Sequence, residues 1–211
     1  MVPYALVHLA IALRAQAPQE PSPAYLLGCL APDAIHARPG ADRALKRHTH
    51  LLDRAGEWPA PLQAWLVDLG PLGDVQRDLV RGYATHLLSD RLWAATVVAE
   101  FRASAPPGLE EAALARLYYG EMDALEGALY RALPWRPAVA AALMAAPVEP
   151  IPGLISAQEL DEWREITLER WPQMAARPAT PLHYACETRV WAYVEEAATL
   201  VRQAAHTWPQ W

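Results

Sequence analysis

Val75-Gln-Arg-Asp-Leu79-Val-Arg-Gly82-Tyr-Ala-Thr-His86-Leu-Leu-Ser-Asp90-Arg-Leu-Trp93-Ala-Ala-Thr-Val97 reads as one long helix in which the numbered residues recur at steps of three and four. Residues so spaced share one face of an α-helix, and an apolar stripe of this kind turns toward a core. The stripe carries His86 and Asp90, one turn apart. An unpaired buried carboxylate is expensive, so Asp90 needs a cation, a metal or dense hydrogen bonding, and His86 is able to share the first two.

Outward from this stretch the chain keeps the same period. Pro3 to Ala15 reads as a first helix with Pro near its first position, and Ser22-Pro23 opens a second that ends before Pro32-Asp33. Ala41 to Ala55 makes a third and Pro59 to Leu69 a short fourth, closed by Gly70-Pro71. The fifth runs from Asp74 to about Ser104, and Gly108 to Leu133 forms a sixth. Pro137 to Ala146 is a short Ala-rich segment. After the Pro-rich connector Pro147 to Gly153, the capping box Ser156-Ala-Gln-Glu159 starts a helix through about Trp171. Thr180-Pro181 opens the last, running to about His206.

Alternating runs of β-branched residues are missing and there is a single Phe, so the expectation is an all-α fold, one multi-helix bundle over residues 1–211. Hydrophobic types make up 53% of 211 residues, enough for a substantial core. Twenty Pro and ten Gly punctuate the helices. The nine Trp must supply much of the bulky packing, although Trp58, Trp65, Trp93 and Trp135 are also able to line an apolar pocket.

A net charge of −6 and a pI near 5.6 argue against stable nucleic-acid binding through phosphate contacts, while leaving a small nucleotide or a lipid phosphate open. Cys29 and Cys186 lack metal-type spacing and read as reduced buried thiols, which suits a cytoplasmic address. Ala15-Gln-Ala17 imitates a signal-peptidase site. However, the segment before it carries no Lys or Arg, and Pro3 and His8 interrupt its apolar part, so secretion is the less favoured reading. No stretch reaches bilayer-spanning length. The oligomeric state has no signature in the chain.

The remaining metal-capable residues differ in context. His8 lies mid-helix on an apolar face, where a core histidine bonded to a carbonyl is the ordinary alternative to a ligand. Asp33 reads as lying at a helix exit, where a turn aspartate is the ordinary alternative. In Arg47-His48-Thr49-His50 the two imidazoles point apart on a helix, so only one is expected inward, and amphipathicity favours His48 beside Leu45, Leu52 and Ala55. His183-Tyr-Ala-Cys-Glu187 repeats the histidine–carboxylate step at the start of the last helix, as a half-site or as an ordinary first-turn pair. His36 completes the set. Arg54 and Arg91 are phosphate partners by chemistry, with plain surface as the alternative.

Taken together, His8, Gly28-Cys-Leu-Ala-Pro-Asp33, Thr49-His50 and Gly82-Tyr-Ala-Thr-His86-Leu-Leu-Ser-Asp90 resemble the zinc-dependent phospholipase C family and the related secreted single-strand-specific zinc nucleases. The Gly-x-x-x-His-x-x-x-Asp element is the most specific of these. The resemblance implies an all-helical hydrolase in which Asp33, His50, His86 and Asp90 hold one zinc. Asp90 would also reach a neighbouring metal that takes His8, and His183 with Glu187 would serve a further zinc. It selects His50 over His48. Two positions depart from the family: seven residues precede His8 where the family uses a free amino terminus as a ligand, and Thr96 stands where a third ligand of the further zinc is expected.

The function expected from this set is metal-dependent phosphoester hydrolysis, with zinc, or manganese or iron in mixed sites, lowering the pKa of a bound water. Asp33 doubles as the group orienting that water. The rival from another class is a helical binding or scaffold protein with a structural metal or buried polar pairs. A third reading, the HD-type phosphohydrolase, needs an adjacent His-Asp dipeptide that the chain lacks.

Overall fold

A computed structural model describes residues 4–176, 182 and 187–209. The described residues form helices α1 (Ala5–Gln16), α2 (Pro23–Gly28), a 3-10 helix (Ala31–Ala37), α3 (Arg43–Thr49), α4 (Ala60–Asp68), α5 (Asp74–Ala95), α6 (Val97–Ser104), α7 (Glu111–Ala132), α8 (Arg136–Ala145), α9 (Ala157–Ala175) and α10 (Glu187–Ala205). Among them there is no strand, only an isolated antiparallel bridge between Ile151 and Ile155. The all-α expectation therefore holds. None of the described helices is long and apolar enough to cross a membrane.

Local chemistry fixes several helix starts. Ser22 accepts a hydrogen bond from the Tyr25 amide at α2, and Asp42 accepts one from Leu45 at α3. Ser156 and Glu159 close the expected capping box at α9. That helix passes the expected end at Trp171, carrying Pro172 inside it before stopping at Ala175.

Three other boundaries differ from the periodic reading. The second helix ends at Gly28, and Asp33 lies within the 3-10 helix rather than at an exit. α3 stops at Thr49 instead of Ala55, because His50 leaves helical geometry and Leu51 takes φ +54°. That left-handed conformation costs a non-glycine residue about 1 kcal/mol, which burial of the Leu51 side chain offsets. Finally, the helix expected over 74–104 breaks at Thr96, whose hydroxyl bonds the Leu92 carbonyl one turn back. The expected start of the last helix, Thr180-Pro181, lies outside the described residues, as do Cys186 and His183.

α5 is the axis of the packing. α2 lies across it, and α1, α10 and the 3-10 helix also pack on it, while α9 covers the 3-10 helix and α7. The α2–α5 crossing needs two glycines: a Cβ on Gly28 would stand 2.1 Å from the Leu79 carbonyl oxygen, and one on Gly82 would stand 2.1 Å from that of Tyr25. Only backbone fits there. Trp65 and Trp93 are buried in the core, with Trp58 and Trp135 partly exposed against it.

Candidate metal centre

The seam of α5 delivers His86 and Asp90 to a point where three other elements end or cross. His8 comes from the middle of α1, Asp33 from the 3-10 helix, and His50 from the residue that caps α3. All three imidazoles are buried, and Asp90 and Asp33 keep only 10% and 16% of their side-chain surface. The rings of His8 and His86 stack with centroids 3.8 Å apart, and His50 meets His86 edge-on at 5.5 Å.

The outer nitrogen of each ring is already committed. His86 Nδ1 donates to the Cys29 carbonyl at 2.8 Å, and His50 Nδ1 donates to that of Lys46 at 2.9 Å. The Ser89 hydroxyl gives its proton to the His86 carbonyl, so at 2.9 Å it accepts from His8 Nδ1. Each neutral ring carries one N–H, and these bonds put it on Nδ1. The lone pair is left on Nε2. The three Nε2 atoms and Asp90 Oδ1 are buried and have no hydrogen-bond partner among the described residues.

Those bare atoms face one another and the carboxylates. His8 Nε2 is 3.4 Å from Asp90 Oδ1, whereas His50 and His86 Nε2 are 3.5 and 3.6 Å from Oδ2 of the same carboxylate. His50 Nε2 is also 3.6 Å from Asp33 Oδ1. The two oxygens of Asp90 thus address different histidines. Two overlapping triads result, His8–His86–Asp90 and Asp33–His50–His86, with ligand atoms in each within 4.8 Å of one another. Both are groups that could hold a metal ion.

Electrostatics keeps the His8 and His50 nitrogens unprotonated. Burial, together with the neighbouring His86, lowers His8 to a pKa of about 3, and burial lowers His50 to about 4 against the pull of Asp33 and Asp90. His86 goes the other way: burial opposes its charge, but Asp90, Asp33 and the Cys29 carbonyl outweigh it and raise the pKa. Burial also works against both carboxylates. Lys46, with His86 and His50, nevertheless holds Asp33 well below the usual carboxylate range, and His86 with His8 and His50 lowers Asp90. Lys46 Nζ sits 2.9 Å from Asp33 Oδ1, which makes it the one lysine at the cluster's edge.

The cluster is reached from two sides. A cavity of about 420 Å³ touches His8, Asp33 and His86 and is walled by Tyr4, Trp163 and Trp171. A second, of about 270 Å³, touches His50 and Asp90. The Trp residues lining the larger cavity are therefore Trp163 and Trp171.

Of the residues singled out in the sequence, His8, Asp33, His50, His86 and Asp90 are brought together. His48, favoured by amphipathicity, is 45% exposed and pairs with Asp53 at 2.7 Å, whereas His50 is 5% exposed. The helical wheel fails there because α3 has ended before His50. Glu187 begins α10 as an exposed residue and is in neither triad; its partner His183 lies outside the described residues. Thr96, spending its hydroxyl on the Leu92 carbonyl, caps the helix break. Arg54 pairs with Asp68 at 3.8 Å.

Ser89, Lys46 and Glu126 were not marked out by sequence reasoning. Ser89 stood in plain view between His86 and Asp90. Glu126 had no signal, because its role comes from α7 packing on the start of α1: its Oε1 accepts from the Leu6 amide and from Trp171 Nε1, both at 3.1 Å.

Fold and cluster together define the class as an all-α protein with a buried histidine–aspartate group suited to a metal ion. Comparison of the chain with family models, with curated proteins and with solved structures gives no match in any of the three.

Proposed function

We propose that this chain is a metal-dependent phosphoesterase of the phospholipase C type, using zinc in preference to manganese or iron. The observation that carries the reading is the spacing of the bare donor atoms. Around an ion bonded at 2.0–2.1 Å, tetrahedral ligands stand about 3.4 Å from one another; four histidine–carboxylate pairs of the cluster stand 3.4 to 3.6 Å apart, and the ligand atoms of each triad lie within 4.8 Å of one another. A set of lone pairs and carboxylates with no proton donor among them is complementary to a cation. Asp33, His50 and His86 suit one ion, with Asp90 Oδ2 3.5 and 3.6 Å from the two histidines, and His8 with Asp90 Oδ1 supplies part of a second position.

A divalent ion held there supplies Lewis acidity toward a phosphoryl oxygen and lowers the pKa of a water. The chain's own residues do the rest. Ser89 and the Cys29 and Lys46 carbonyls hold the three rings so that Nε2 points inward. Asp33, the cluster carboxylate that lines the larger cavity, orients the attacking water. Lys46 brings a positive charge to the same edge for a phosphate oxygen. The aromatic walls Tyr4, Trp163 and Trp171 suit the apolar part of a lipid or small-molecule ester.

The rival, a binding or scaffold protein with a structural metal, predicts a closed coordination shell, whereas two cavities reach this cluster. Zinc titration by calorimetry, followed by hydrolysis of bis(p-nitrophenyl) phosphate, tests both. The expected result is stoichiometric zinc in the wild type, loss of it in His86→Ala and Asp90→Ala, and zinc-dependent turnover. Equal zinc content in wild type and variants removes the reading; bound zinc without turnover leaves the rival.

A further inference from the structure

The smaller cavity differs in character from the aromatic one. Beside His50 and Asp90 its walls carry Arg43, Lys46, Arg47 and Arg91, four cations against a single carboxylate, and that carboxylate belongs to the cluster. The chain as a whole holds 24 acidic and 18 basic residues, so a wall this poor in acid runs against its composition.

Lys46 is paired with Asp33, but Arg91 and Arg47 are held by contacts that leave their charge unneutralised. The Arg91 guanidinium lies 4.7 Å from the centre of the Trp58 ring, a cation–π contact that fixes its plane. Arg47 donates one N–H to the Leu52 carbonyl at 2.7 Å, a neutral acceptor. Among the described residues neither Arg43, Arg47 nor Arg91 has a carboxylate within ion-pair distance, whereas other arginines of the chain, such as Arg38, Arg102 and Arg189, do. Like charges gathered beside a buried site, with the one carboxylate there belonging to the cluster, are complementary to an anion, and planar guanidinium forks match the oxygens of a phosphate.

We propose that the basic cavity is a subsite for a second phosphate, so that the ligand of this protein carries two: one at the histidine–aspartate cluster and another on Arg43, Arg47 and Arg91. This rests on the phosphoesterase reading for the first phosphate only. Lys46, which lines both cavities, stands between the two positions. A mono-anionic diester with no further charge leaves these arginines unused, and a ligand with adjacent or vicinal phosphates engages them.

The test is calorimetric binding of inorganic pyrophosphate and of orthophosphate to the zinc-loaded protein, freed of excess zinc by gel filtration, at low salt. Wild type is expected to bind pyrophosphate at least tenfold more tightly than orthophosphate. Arg47→Ala/Arg91→Ala is expected to lose that preference and at least tenfold in affinity, with its helical circular dichroism intact. Arg116→Ala/Arg131→Ala, the same loss of charge placed elsewhere on the surface, is expected to leave it unchanged. Equal affinity for the two anions, or an equal loss in both double variants, overturns the proposal. Pyrophosphate binding that survives in a protein unable to take up zinc would sink the phosphoesterase reading alone; arginine-independent binding in a protein that does take up zinc sinks this one alone. A parallel arm compares a soluble inositol bisphosphate with phosphatidylcholine vesicles carrying a phosphoinositide bisphosphate: tighter binding to the vesicles assigns the second phosphate to a lipid headgroup, and equal binding to a soluble compound.

Discussion

Glu126 and Ser89 show how much of the site depends on single side chains outside the ligand set. Glu126 is buried at the start of α1, where Tyr4 supplies no side-chain cap and the carboxylate takes the Leu6 amide instead. Its second oxygen has no hydrogen-bond partner among the described residues, and burial raises the carboxyl from an ordinary 4.5 to about 7. An acid whose pKa is raised by folding takes up a proton on folding, so its protonated form favours the native state. Stability is therefore expected to be full below pH 4.5 and to fall as pH rises toward 7, by about 3 kcal/mol at most. Glu126→Gln keeps an acceptor for Leu6 and Trp171 and removes that slope; urea melts of both proteins between pH 4.5 and 8 read the difference, and parallel curves would refute the assignment. Ser89 acts on metal affinity instead. Ser89→Ala frees the His8 ring to rotate and is expected to weaken zinc binding about tenfold with little change in fold, as losses of ligand-orienting hydrogen bonds do; competition with a fluorescent chelator measures it. The role of Glu126 was not legible in the sequence, since a carboxylate that caps a helix 120 positions away leaves no local pattern.

At the scale of elements, legibility followed periodicity. The α5 seam was readable because Val75, Leu79, Gly82, His86, Asp90 and Trp93 repeat with the helix, and His86 and Asp90 do meet the other ligands there. It failed where regular geometry stops: at His50 one residue beyond α3, at Thr96 where the helix breaks, and at Asp33 in a 3-10 turn. The α2–α5 crossing makes the same point with glycine. Gly82 occupied a seam position that an apolar side chain would usually fill, and the structure shows why it is bare: a methyl there meets Tyr25 O at 2.1 Å and Cys29 N at 2.8 Å, both backbone. Backbone cannot rotate aside, so Gly82→Ala must part the two helices. The expected cost is about 3 kcal/mol or more, at the upper end of overpacking penalties. Because Cys29 supplies the carbonyl that holds His86 Nδ1, the same change is expected to weaken zinc binding, and an alanine variant as stable as wild type would show that α2 does not sit this close. Denaturant melts and zinc titration of one preparation read both effects.

For the molecule as a whole, the cluster joins parts of the chain that local structure cannot join. His8 and Asp90 stand on α1 and α5, Asp33 on the 3-10 helix, and His50 at the exit of α3, where the Tyr83 hydroxyl of α5 also bonds the Thr49 carbonyl. Without an ion, the interior of this junction sets three bare lone pairs against two carboxylates, with Lys46 at one edge offering a compensating charge. On the proposed reading, such an arrangement would take a cation only when folded, because the unfolded chain scatters the five side chains. Zinc is then linked to folding: free ion at a thousand times its dissociation constant adds about 4 kcal/mol to stability. At 2–4 °C per kcal/mol for a chain of this size, the melting temperature should rise by roughly 10 °C. The shift should grow with the logarithm of free zinc and reverse on chelation. His86→Ala is the control: it removes the ligand common to both triads, so its melting temperature should ignore zinc altogether. Calorimetric scans over a zinc series decide the matter, and a wild-type transition that does not move would mean that these five side chains converge for packing alone.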